Sequence, residues 1–103
     1  MVSLVLNSLD SNDKIVKKGK VKAYKINKYI AIHPPFHDKT SDKWDVTHIL
    51  TGLAFGVPYD DAETAKKVAG AFAKFGDKLN FSSFEAAPNA LIKELIKTSR
   101  KFR

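Results

Sequence analysis

Thirteen residues in the middle of the chain, Trp44-Asp45-Val46-Thr47-His48-Ile49-Leu50-Thr51-Gly52-Leu53-Ala54-Phe55-Gly56, limit its choice of fold more than any other stretch. Trp44, Val46 and His48 alternate with Asp45, Thr47 and Ile49, so an extended chain here shows one aromatic, largely apolar face and one mixed face. Thr51-Gly52 supplies a reversal, because glycine adopts positive φ without a Cβ clash, and Leu53-Ala54-Phe55 can run back as a second strand. A strand, a tight turn and a returning strand make this the central hairpin of a small antiparallel sheet.

The residues before it extend the sheet. Val2 to Leu9 reads as a first strand, ended by Asp10-Ser11-Asn12-Asp13, whose side chains bond their own backbone and favour a turn. Val21 to His33 contains a second hairpin. With Asn27-Lys28 as a two-residue loop, Ile26 faces Tyr29, Tyr24 faces Ala31 and Ala23 faces Ile32. That register puts Val21, Ala23, Ile30 and Ile32 on a core face and Tyr24, Ile26, Tyr29 and Ala31 on an open one. Pro34-Pro35 ends the strand, since neither residue can donate to a ladder.

Downstream the period changes to helical. Asp60 is expected as an N-cap with Glu63 closing a capping box, and Ala62, Ala65, Val68, Ala69, Phe72 and Phe75 recur at helical spacing up to a stop at Gly76. The segment from Leu79 to Phe84 fits a short strand or a loop. A second helix begins near Pro88, with Leu91, Ile92, Leu95, Ile96, Ser99 and Phe102 as its apolar stripe. The predicted fold is therefore α+β: one domain over residues 1–103, with an antiparallel sheet of about four strands in residues 2–57 and helices at 61–75 and 88–102 packed on it. Its core is expected from Val21, Ala23, Ile30, Ile32, Val46, Val68, Ala69, Phe72, Leu91 and Leu95.

Charge carries the functional signal. Eighteen basic residues stand against eleven acidic ones, a net charge of +7. Lysines at 14, 17, 18, 20, 22, 25 and 28 occur with no acid among them, and the C-terminal end is also basic. Such a surplus points to a polyanionic partner. Lys17, Lys18, Lys20, Lys22, Lys25 and Lys28 are the candidates for phosphates, with Tyr24 and Tyr29 as stacking platforms for bases and Arg100 and Lys101 as a second basic contribution. Sixteen of the eighteen basic residues are lysine, which lacks the planar fork that reads guanine edges, so binding is expected to be largely independent of sequence. The alternative is a protein-interaction or inhibitor module, with homo-oligomerisation open to it, anchored by exposed Trp44, Phe36, Tyr59 and Phe55.

Other chemistries find less support. The chain has no cysteine, which removes disulfides and thiolate catalysis. His33, His37 and His48, with Asp38 and Asp45, are numerous enough for a metal, but Pro34 and Pro35 break any helical spacing and no HExxH pattern occurs, so no metal and no cofactor are expected. Thr47 and His48 are adjacent in a strand and point to opposite faces, Asp60, Asp61 and Glu63 are explained as helix caps, and no phosphate loop is present, so an enzyme is not expected. Residues 1–15 lack a basic region followed by a long apolar run, and no apolar stretch reaches membrane-spanning length; the expectation is a cytoplasmic protein without a membrane partner.

Several antiparallel strands followed by the alanine-rich helix Glu63-Thr64-Ala65-Lys66-Lys67-Val68-Ala69 resemble in outline double-stranded-RNA-binding domains and the small sheet-plus-helix DNA-binding domains of phage integrases. The resemblance covers topology and one helix and carries no site residue across; double-stranded-RNA-binding domains begin with a helix, where residues 1–9 read as a strand. Small size, abundant lysine and the lack of catalytic motifs are shared with accessory proteins of phages and mobile elements.

Overall fold

The computed structural model describes residues 2–12, 14–35, 42–55, 58–82 and 88–102. Five antiparallel strands precede two helices: β1 (Val2–Leu9), β2 (Ile15–Lys25), β3 (Ile30–His33), β4 (Asp45–His48), β5 (Leu53–Ala54), α1 (Ala62–Ala73) and α2 (Asn89–Arg100). The strands lie side by side in chain order. The α+β class and the antiparallel sheet are as expected, with five strands where about four were read.

The sheet curls because β2 serves two partners. Its residues 15–23 pair with β1, while Tyr24 and Lys25 pair with Ile32 and Ala31 of β3. A bulge at Leu6/Asn7, where Gly19 and Lys17 are successive partners and Lys18 is the extra residue, adds local bend and twist. The curl brings β1 back to the β4–β5 turn. There the Asn7 N–H donates to the Gly52 carbonyl at 2.9 Å, and Asn7 Nδ2 donates to the Thr51 carbonyl at 2.7 Å. The β1 edge, which carries no charge to repel another strand, is thus partly covered by the chain's own turn.

Curling divides the interior into two clusters. Leu4, Leu6, Val21, Ala23 and Ala31, with Ile49 against them, fill the inside of the curl. Tyr29, Ile30, Ile32, Val46, Tyr59, Ala65, Val68, Ala69, Phe72, Leu79, Leu91 and Leu95 form the larger cluster between sheet and helices. All ten predicted core residues are buried, but Val21 and Ala23 lie on the opposite side of the sheet from Ile30 and Ile32.

The cause is the second hairpin, whose register differs by one residue from the expected one. Tyr24 pairs with Ile32, and not with Ala31, because the loop has four residues, 26–29. Asn27 builds it: Oδ1 accepts the Tyr29 N–H at 2.8 Å and the Ile30 N–H at 2.9 Å, an Asx turn that a two-residue loop does not contain. A one-residue slip exchanges faces, so Ala31 goes to the inner cluster and Tyr24 is left on the outside.

The helices pack as read, with small changes at their ends. Asp61, not Asp60, caps α1, accepting the Thr64 N–H at 2.7 Å, and this bond holds its carboxyl below the usual range. Tyr59 exchanges backbone hydrogen bonds with Trp44, which makes Asp60 the connector; its carboxylate reaches exposed Lys43 at 3.6 Å. The expected Asp60–Glu63 capping box therefore does not form. Pro88 is the N-cap of α2 and not its first helical residue. Gly76, at φ 56°, lies three residues beyond the end of α1 and opens a 3₁₀ turn, Gly76–Leu79; of the segment from Leu79 to Phe84 read as strand or loop, residues 80–82 are loop and 83–84 lie outside the described residues. The turn buries Leu79 completely.

Gly52 is the most constrained backbone position described. It combines φ 71° with a neighbour on the side where a Cβ would stand, 2.6 Å from the Val5 carbonyl oxygen and from Asn7 Nδ2. Gly52→Ala is expected to lower unfolding free energy by at least about 2 kcal/mol, from left-handed strain plus the clash. Gly70→Ala in α1 has open space for its Cβ and is expected to be neutral or to add up to about 1 kcal/mol. Urea denaturation of both variants checks the contrast.

Candidate nucleic-acid interface

Pro34 is the residue that opens the candidate site. It has no N–H, so the β2–β3 ladder stops at the Tyr24–Ile32 rung and β2 turns away to pair with β1. An open groove of about 520 Å³ lies along this divergence. Ser3 faces Lys22 across β1 and β2, and continuing the sheet register runs from Lys22 through Pro34 to Trp44. Lys20 and Tyr24 lie on the same outer face at either side of Lys22, and all of these residues line the groove.

Two aromatic rings meet there. Tyr24 is 49% exposed, and its ring centroid lies 5.9 Å from that of half-buried Trp44, with the planes tilted by 40°. They are diagonal neighbours across β3, because Tyr24 opposes Ile32, Ile32 opposes Val46, and Trp44 is two residues before Val46 on the same face. Trp44 also packs against the helix-side cluster and is bridged to Tyr59. Its position is fixed from behind while the groove side stays open.

The expected binding residues are distributed unevenly. Lys17, Lys18, Lys20, Lys22, Lys25 and Lys28 are all exposed. Lys20, Lys22 and Tyr24 line the groove; Lys17 and Lys18 continue β2 beyond one end, and Lys25 and Lys28 flank the hairpin loop at the other. Tyr29 does not stand with them. Only 6% of its surface is exposed, its hydroxyl donates to Asp77 Oδ1 at 2.9 Å, and that bond, with burial, raises its pKa. Lys28 Nζ lies 5.5 Å from the Tyr29 ring centre. Tyr24 stays exposed as expected, Tyr29 goes to the core with the longer loop, and Trp44 occupies the second aromatic position. Arg100 and Lys101 are exposed at the end of α2 and do not line the groove. Of the residues weighed as protein-binding anchors, Tyr59 is buried, Phe55 stacks on Phe72 at 4.2 Å, and Phe36 lies outside the described residues.

The two described histidines do not converge. His33 and His48 sit on opposite faces of adjacent strands. His33 Nδ1 donates to the Pro34 carbonyl at 2.7 Å, leaving Nε2 to accept from the Thr47 hydroxyl at 2.8 Å. Half-buried Asp45 pairs across the ladder with His33; burial raises its pKa, an effect offset in part by His33 when its ring is protonated and by the charge of Lys18. His37 and Asp38 lie outside the described residues, and among the described residues no group of three metal-ligating side chains forms.

His48 and Thr51 have the spacing of a base and its nucleophile, but both are sealed in the interior. His48 Nε2 donates to the Leu79 carbonyl at 2.7 Å, so Nδ1 is the acceptor, taking the Thr51 hydroxyl at 2.8 Å and facing the Thr51 N–H at 3.3 Å. Phe81 stacks on the ring at 4.3 Å. The arrangement ties β4 to its own turn and to the 3₁₀ turn, which is structural work.

No family model, no curated protein and no solved structure matches the chain. Among the described residues, no helix is long and apolar enough to cross a membrane.

Burial lowers the His48 pKa below 6.5, a shift opposed by the hydrogen bond to the Leu79 carbonyl. The folded protein then binds fewer protons here than the unfolded chain, so the His48 contribution to stability is complete above pH 6.5 and is lost as pH falls below it. A urea midpoint that declines between about pH 7 and 5 is expected, with a shallower decline in His48→Gln. The substitution itself should cost about 1–2 kcal/mol at neutral pH, where the glutamine amide still has partners. An unchanged pH slope in the variant would refute the assignment.

Proposed function

We propose that this protein is a small, largely sequence-independent nucleic-acid-binding protein that uses the outer face of β2 and the groove beside it. The observation that carries the reading is the alignment of Lys20, Lys22 and Tyr24 along one strand face, with Trp44 brought beside Tyr24 from the start of β4. Cations that meet phosphates and rings that meet bases are the two components of a non-specific nucleic-acid groove. Lys20 and Lys22 have no carboxylate partner among the described residues, so their charge is available to a ligand. The lysine run 14–28, which holds no acid, extends the same positive field beyond both ends of the groove.

Charge governs affinity in this reading and the rings add to it. Counterion release makes the affinity fall steeply as salt rises, by a slope of roughly 0.7–0.9 per phosphate neutralised. Lysine as the dominant cation gives weak discrimination among bases, which suits a partner that coats or accompanies nucleic acid. A cytoplasmic setting and a place among phage or mobile-element accessory proteins are consistent with this function and form part of the proposal.

Fluorescence anisotropy with labelled oligonucleotides at several salt concentrations tests it. Binding that weakens steeply with salt is expected, and Lys20→Glu with Lys22→Glu should reduce affinity at least about tenfold and the salt slope by about two, with the fold intact. Absence of binding at low salt, or a charge-reversed protein that binds equally well, would overturn the reading and favour a protein partner for the Tyr24–Trp44 surface.

A further inference from the structure

Resting on that reading, we infer that the groove takes single-stranded and not duplex nucleic acid, with one base stacked on Tyr24 beside Trp44 and the flanking phosphates on Lys20 and Lys22. The inference comes from what the groove offers. It is aromatic and open: Tyr24 is half exposed, and Trp44 stands beside it in a tilted position 5.9 Å away. An exposed aromatic ring gains most from another flat surface laid on it, and in a duplex the base faces are already covered by their neighbours. An unpaired strand presents them freely, and each base placed on an aromatic residue strengthens binding roughly 5- to 150-fold.

Shape agrees with this. A volume of about 520 Å³ falls in the range of small-molecule sites and is open along one side, so a nucleotide can enter while the strand continues past it. The groove is formed on strands. No helix residue lines it, and the reading of a duplex major groove by an inserted helix has no counterpart here. Pro34 forms part of its lining between Lys22 and Trp44, adding apolar surface at the point where a base would settle. Charge and stacking thus follow one another at alternate positions of one strand, Lys20, Lys22 and Tyr24, as a binder that follows a single strand requires. DNA and RNA share this chemistry, and the 2′-hydroxyl distinguishes them only through contacts at its own position.

Trp44 is the chain's one tryptophan, so the site contains its own reporter. The full-length protein is titrated at low salt with an oligothymidylate, an oligouridylate and a mixed-sequence duplex of equal length, and Trp44 emission is followed together with anisotropy. Both single strands are expected to quench Trp44 and to bind at least about tenfold more tightly than the duplex. Tyr24→Ala should remove about tenfold or more of the single-strand affinity and leave duplex affinity unchanged, and Tyr24→Phe should restore it. Tyr24→Ala also serves as the folding-safe variant, because half of that side chain is already in solvent. Duplex affinity equal to single-strand affinity, or tight single-strand binding without quenching and without a Tyr24→Ala effect, overturns this inference while leaving nucleic-acid binding in place. No binding to any of the three overturns the broader function and this inference with it.

Discussion

The structure depends on one closure, in which β1 returns to the β4–β5 turn through Asn7 and Gly52. A flat five-stranded sheet would offer one face to the helices and leave the other to water, and the inward side chains of β1 and β2 would lack cover. Curling buries Leu4, Leu6, Val21, Ala23 and Ala31 against one another. It requires that two backbones approach closely, and the space at Gly52 admits no side chain. Asn7 satisfies the turn with two hydrogen bonds, so the approach leaves fewer backbone groups unpaired. Each fully buried aliphatic side chain brought in by this contact adds about 1.5–3 kcal/mol against exposure, so the closure stabilises far more than its own hydrogen bonds do.

The same geometry produces the candidate site. A strand that must leave β3 to pair with β1 creates a divergence, and Pro34 fixes where it starts by withholding a donor. Residues on the outer face of β2 at that point, Lys20, Lys22 and Tyr24, are not covered by the helix layer, which lies over β3 and β4. Buried polar groups keep the surrounding frame rigid. His48 links β4 to the Leu79 carbonyl, His33 links β3 to Thr47, and among the described residues no buried side-chain polar atom is left without a partner. A stacking ring on a strand held in this way loses little freedom when a flat ligand covers it, which favours the proposed binding.

Much of the fold was legible in sequence because period and punctuation agreed. The Trp44–Phe55 hairpin, the Asp10 turn, the helical stripe of Ala65, Val68, Ala69 and Phe72, and the Leu91–Leu95 stripe each follow from alternation or 3.6-residue spacing plus a turn or cap residue. The candidate site was half legible. Lysines on β2 declared themselves by number, but which aromatic residues join them depends on register, and the register depends on whether Asn27 starts a four-residue loop. Local propensity fits both loops; the larger cluster decides between them by accepting Tyr29 and its bond to Asp77. By sequence Trp44 reads as a protein-binding anchor and not as Tyr24's neighbour, since that contact crosses β3 and appears only once the rungs are aligned. Asp61 in place of Asp60 as the cap has a similar origin, because the long-range Trp44–Tyr59 bridge sets where the helix can begin.

The outer face of β2 and the groove at Trp44 are the proposed ligand surface. Backbone amide and indole chemical-shift mapping during titration with an unlabelled single-stranded oligonucleotide tests it residue by residue. The largest shifts are expected at Ser3, Lys20, Lys22, Tyr24 and the Trp44 indole, with small changes in α1 and α2. Shifts centred on the exposed side of α2, around Ile96 and Arg100, with the β2 amides unmoved, would contradict it.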